Sequence, residues 1–221
     1  LNASDVVEFR VSEGGGGSNG QITFNRTQPA LTPGNNTWNV YVWAAGDAAG
    51  GSGAWSSNYS GYYTEPSLSF QTYSRWPDGG TPSSASGYTG CAVAADNHSW
   101  NASRTNFPCK AYQILVNHDD RGQVFVNGTL RYDISSCCFA PVPTANQNAG
   151  TYVLGTSDIV EFRVSEGGGG SFGSIAVNDV TAALNGGTIT YGGSTTACTG
   201  YDPPAFGNSA DASGGTSAAI T

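Results

Sequence analysis

Residues 117–120 read Asn-His-Asp-Asp and place two adjacent carboxylates directly after the alternating run AYQILV. Two carboxylates side by side at a strand end repel each other unless a cation or N–H donors neutralise them. Calcium, a hard cation, takes oxygen ligands from Asp, Glu, Asn and main-chain carbonyls, so Asp119 and Asp120 are candidate ligands. Asn117 and His118 belong to the same candidate site. A second reading of the same four residues is a solvated turn whose aspartates cap backbone N–H groups.

Other chemistry finds less support. The chain has two histidines, His98 and His118, and lacks both G-x-S-x-G and HExxH. Nothing in the spacing brings two of Glu65, Glu161 and Glu166 together as a glycosidase pair, and the chain is not expected to be an enzyme. Five cysteines occur with no CxxC or Cys/His spacing for zinc. Cys91, Cys109, Cys137 and Cys138 fall in one window and predict two disulfides and an oxidising compartment. The bridges can run from Cys137 and Cys138 to Cys91 and Cys109, or pair Cys137–Cys138 and Cys91–Cys109; sequence leaves both open. Cys198 is the odd one. Aromatic residues crowd the long connections, and Trp55, Tyr62 and Trp76 are candidate walls for a stacked sugar, whereas Trp38, Trp43 and Trp100 read as core.

A net charge of −8 with one lysine, Lys110, argues against nucleic acid and anionic membranes and suits cations, neutral glycans or a crowded surface. No stretch approaches a membrane span, and none of 12 or more residues keeps a helical period.

The elements that must position these residues are strands. Alternating runs fall at 38–43, 67–73, 111–116, 123–126 and 129–134, and Asn127-Gly128 between the last two is a tight-hairpin signal. Residues 44–62 and 74–106 read as long connections. The segment SDVVEFRVSEGGGGS (4–18) recurs at 157–171 with a single change, Val6 against Ile159. An offset of 153, from 4 to 157, is about one domain length and points to tandem units. Each copy, with the strand after its glycines, reads as a hairpin with a wide loop. The expected boundaries are a terminal hairpin of a preceding repeat (1–28), a complete β-sandwich (29–181) and the opening strands of an immunoglobulin-like repeat (182–221). A lone hairpin is marginal in water, so residues 1–27 are expected to dock on a sheet edge or interface, in cis or on a neighbouring chain.

The ordered motifs Asp119-Asp120, Val124–Gly128, Phe162–Val164, Glu166–Gly170 and Ile175–Val177 resemble the protective-antigen-type lectin domain. That β-sandwich occurs in bacterial toxins, yeast flocculins, epithelial adhesins and some glycosidases. The resemblance covers roughly residues 30–178 and implies an antiparallel, jelly-roll-like sandwich. It also implies an Asp119–Asp120 pair joined by a cis peptide and binding Ca²⁺, with sugar hydroxyls on the ion. A second calcium loop falls on Glu166–Ser171, with Glu166, Gly168 and Gly170 as ligands; Glu166 stands where flocculins have Asn, which adds a charge. The tail GGTITYGGSTTACTGYDPPAFG is similar to the immunoglobulin-like repeats of large adhesins exported by the type IX secretion system of gliding bacteria. Together these imply an extracellular, cell-surface adhesin module whose partners are a glycan or surface polysaccharide and neighbouring repeats. The alternative is a structural spacer that extends a fibre and binds nothing.

Overall fold

Alternation decides which side chains enter the core. In WNVYVW (β2, Trp38–Trp43) Trp38, Val40 and Val42 are fully buried in the main core, while Tyr41 and Trp43 join a separate small cluster with Tyr59. Successive strand residues face opposite sides, so this second cluster lies on the outer face of the sheet. The structure, a computed structural model, describes residues 6–23, 30–46, 58–77, 79–135 and 146–181.

The described strands form an antiparallel β-sandwich. One sheet runs β5 (Thr89–Gly90), β3 (Tyr59–Glu65), β2, β6 (His98–Thr105), β11 (Val160–Glu166), β8 (Arg121–Val126), β9 (Thr129–Ile134). Short β1 (Gly34–Asn35) adds a parallel pair to β6. The facing sheet runs β10 (Gln147–Leu154), β7 (Lys110–Asp119), β12 (Phe172–Asp179), β4 (Phe70–Gln71). Between them Trp38, Tyr63, Trp76, Trp100, Phe107 and Phe162 are buried and meet largely edge to face, each such contact adding about 0.5–1.5 kcal/mol to area burial. The β8–β9 hairpin turns at Asn127 (φ 51°) and Gly128 (φ 73°), the two positive-φ positions a two-residue turn requires.

Several sequence-based expectations need correction. The connections at 44–62 and 74–106 contain the starts or whole of three strands, β3, β5 and β6. Strand β6 is central yet alternates Ser99, Asn101 and Ser103 on its outward side, all buried, so it shows no apolar face to a reader of sequence alone. The run 67–73 supplies only the two residues of β4 before a 3-10 turn, Thr72–Ser74. β11 and β12 are not a hairpin: β11 lies between β6 and β8 in one sheet, and β12 between β7 and β4 in the other. The glycine loop between them crosses the sandwich as an arch.

The first copy of that sequence forms no strand among the described residues 6–23, which are exposed throughout. Residues 6–23 form no laddered hairpin and do not pack on the described residues of the same chain. The same sequence is a strand at 160–166, because there β6 and β8 flank it. Cys91 is free and exposed, so it belongs to neither expected bridge. Cys109 is disulfide-bonded. Cys137, Cys138, Cys198 and the immunoglobulin-like stretch 182–221 lie outside the described residues.

Candidate functional site

Two chain crossings meet at one end of the sandwich. Strand β7 ends at Asp119 in the smaller sheet, the Asp119–Asp120 peptide is cis, and β8 begins at Arg121 in the larger sheet. The second crossing is the β11–β12 arch. Asp119 pairs with Phe172 at the start of β12, and Arg121 pairs with Ser165 near the end of β11. The two crossings therefore lie side by side, and backbone donors tie them together. Asp120 N–H donates to Ser165 O (3.1 Å), and Gly167 N–H donates to Asp120 Oδ2 (2.8 Å).

This packing brings Glu166 beside the aspartate pair. Carboxylate oxygens of Asp119, Asp120 and Glu166 lie within 4.8 Å of one another. Glu166 is fully buried, and neither of its side-chain oxygens has a hydrogen-bond partner. Burial raises its pKa to about 8, with Asp120, Asp119 and Asp96 adding to the rise; only the Gly168 N–H, facing it outside hydrogen-bonding geometry, pulls the other way. No lysine or arginine is among the charges acting on it. Arg163, the nearest cation to Glu166 in sequence, pairs with Glu161, and Arg121, which follows Asp120, is forked onto Asp133 at 2.9 Å through both Nε and Nη2.

Both histidines hold this end together. His118 is buried, with Nδ1 at 2.9 Å from Asp120 O and Nε2 at 2.8 Å from Tyr132 Oη. Burial lowers its pKa and favours the neutral ring, and a carbonyl can only accept. Nδ1–H therefore donates to Asp120 O, and Tyr132 O–H donates to Nε2. The ring fills the space over Gly122, where a Cβ would sit 2.2 Å from His118 Cδ2. His98 opens β6 opposite Glu166. Its Nδ1 meets Ala94 O at 3.1 Å, its Nε2 meets Ser171 Oγ at 2.9 Å, and burial lowers its pKa to about 4. It ties the segment before β6 to the arch. Asp96 in that segment accepts from Gly169 N–H at 3.1 Å.

Of the residues singled out from sequence, Asp119, Asp120 and Glu166 come together. Gly168 and Gly170 lie in the adjoining loop, Gly168 exposed and Gly170 half-buried. Asn117 and His118 are fully buried, so His118 positions Asp120 and does not face a ligand. Trp76 is 2% exposed and packs edge to face on Tyr63 and Trp100, closed to any sugar, because the 3-10 turn before it turns the side chain inward. Tyr62 is exposed but lies on β3, three strands from β11, in the row that holds Arg163. Trp55 lies outside the described residues. Sequence reasoning missed Asp96, Ser165 and Tyr132. Each acts through one hydrogen bond across the fold, and no local pattern marks it.

The donor set fits calcium. All three side chains offer hard oxygen, and three carboxylates can supply up to about six ligand atoms if each is bidentate. A buried carboxylate with two unsatisfied oxygens among negative neighbours is the kind of group a bound cation stabilises.

No protein-family model matches the chain, and no curated protein matches it. Among solved structures, the PA14 domain of the MpAFP antifreeze protein is similar at 11% identity, covering 70% of this chain and 88% of its own, with a TM-score of 0.47. The PA14 sugar-binding domain from an RTX adhesin is similar at 14% identity over 65% of this chain and 89% of its own, TM-score 0.45. An anti-sigma factor domain-containing protein from Clostridium clariflavum is 11% identical over 65% of this chain, TM-score 0.43; the chain spans 42% of that protein.

Proposed function

We propose that the sandwich is a calcium-dependent, carbohydrate-binding adhesin module of the cell exterior. The observation that carries it is the meeting of Asp119, Asp120 and a buried, unsatisfied Glu166 at the double crossing. Asp119 and Asp120 hold the ion from the β7–β8 corner and Glu166 from the arch. The exposed glycine loop leaves one side of the site open for sugar hydroxyls. The sugar half of the reading rests on the sequence resemblance to protective-antigen-type lectin domains. An exterior location is supported by the disulfide at Cys109, since such bonds persist in oxidising compartments. No helix among the described residues is long and apolar enough to cross a membrane.

One observation favours a second reading, a spacer repeat of a surface fibre. Trp76 is buried and Tyr62 lies three strands from β11, so neither of these candidate walls stands open beside the carboxylates. A glycan array probed in calcium and again in chelator separates the two. The lectin reading predicts signal in calcium only, absent from an Asp119→Asn variant. A blank array in both conditions, from protein shown to be folded, leaves the spacer.

A further inference from the structure

The first copy of the repeated segment keeps more than sequence. With the offset of 153, Val7, Phe9 and Val11 correspond to Val160, Phe162 and Val164, and Gly20 and Ile22 to Gly173 and Ile175. The second set lies within the sandwich at 0–1% exposure for its four apolar side chains, whereas Val7, Phe9, Val11 and Ile22 are 45–52% exposed. Yet the two copies share local contacts. Glu8 and Arg10 form an ion pair, as do Glu161 and Arg163. A Cβ on Gly20 would sit 2.7 Å from Val11 Cγ2, and one on Gly173 would sit 3.1 Å from Val164 Cγ2. In both copies, then, the second arm closes on the first at the same glycine and valine. What the first copy lacks is the surrounding sheet: Gly173 also lies under Trp100, which fills the space a Cβ would need.

We propose that residues 7–23 are a second β11–β12 arch, shaped to complete a sandwich core of this sequence other than the one already closed by residues 160–179. In that core its first arm would run between β6 and β8, and Glu13, the counterpart of Glu166, would face the Asp119–Asp120 pair. The docking follows from the exposed apolar side chains and the shared register. Only the role of Glu13 rests on the calcium reading above.

Two full-length chains test it, both with Cys91→Ser. The recipient carries Phe9→Asp and Phe162→Asp, which spoil both of its arches, together with Asn101→Cys. The donor carries Arg10→Cys, because Arg163 is the register partner of Asn101 in the closed sandwich. After co-refolding and oxidation, a disulfide between position 10 of the donor and position 101 of the recipient is expected, mapped by mass spectrometry. Adding Phe9→Asp to the donor should lower its yield roughly tenfold or more, the loss expected for one unburied phenylalanine. No such disulfide, or one indifferent to Phe9→Asp, overturns the proposal, even where the recipient alone fails to fold. In a donor whose own closed site is silenced by Asp119→Ala, adding Glu13→Gln should leave the disulfide and abolish calcium stabilisation of the linked pair; stabilisation that survives overturns the role of Glu13. The calcium reading itself stands or falls on the single unlinked chain, so its failure is distinguishable.

Discussion

Freed of calcium at pH 8, a Glu166→Gln variant is expected to be more stable than the parent protein by about 2–4 kcal/mol, taking about 1.4 kcal/mol per pKa unit and discounting for solvent at the open side. The sign follows from proton counts. Folded Glu166 keeps its proton up to about pH 8, whereas the unfolded chain releases it near 4.5. Between those values the native state binds more protons at Glu166, so Glu166 takes stability from the metal-free protein as pH rises through that window. His98 and His118, whose pKa values burial lowers, act in the opposite sense up to about pH 6.5, so the Glu166 share is the difference between parent and variant. Glutamine carries no charge, and its amide N–H groups can donate to Asp119 and Asp120, so the variant should lack this pH slope. Urea titrations in chelator at pH 5 and pH 8 read the difference directly. A parent protein whose stability changes between pH 5 and pH 8 no differently from the variant's would mean that the three carboxylates are compensated by other means. In calcium the order should reverse, because the variant lacks one of the charges that hold the ion.

The second large effect is expected at Trp100. It is fully buried on β6, edge to face with Phe162 at 5.2 Å and with Trp76 at 6.4 Å, and it lies over Gly173. Trp100→Ala should cost about 3–5 kcal/mol, the transfer loss plus the cavity left behind. Gly173→Ala approaches the same contact from the other side. Its Cβ would lie 2.4 Å from Trp100 Cζ2, against a ring boxed in by aromatic neighbours, and overpacking of this kind costs about 1–3 kcal/mol. Both changes loosen the arch that carries Glu166, so both should also weaken calcium binding although neither residue is a ligand. A Gly173→Ala protein with parent-like stability would show that β12 can shift away from Trp100.

The parts of this molecule that were legible in the sequence are the locally encoded ones. β2 announces itself by alternation, and the β8–β9 hairpin by Asn127-Gly128, where both residues tolerate positive φ. The Asp119–Asp120 corner stood out because paired carboxylates at a strand end demand an explanation. What alternation cannot encode is which sheet a strand joins. In sequence the arch resembles a hairpin, because two apolar runs around glycines look alike whether they pair with each other or face each other across a core. β6 was read as a connection because its outward positions are Ser99, Asn101 and Ser103, and β10 escaped because polar Gln147, Asn148 and Thr151 open it. Burial likewise has no local signature. Trp76 looked like a loop aromatic and is core, and His118 looked like a ligand-facing residue and instead holds Asp120 O.

Calorimetric titration of the chelator-treated chain with calcium at pH 7.5, in two buffers of different ionisation enthalpy, decides whether Asp119, Asp120 and Glu166 form an ion site. One ion per sandwich is predicted, with a heat that differs between buffers because binding displaces the proton from Glu166. Binding should disappear in Asp119→Ala and in Glu166→Ala. A chain that takes up no calcium, or one that binds it equally well without Asp119, contradicts the account.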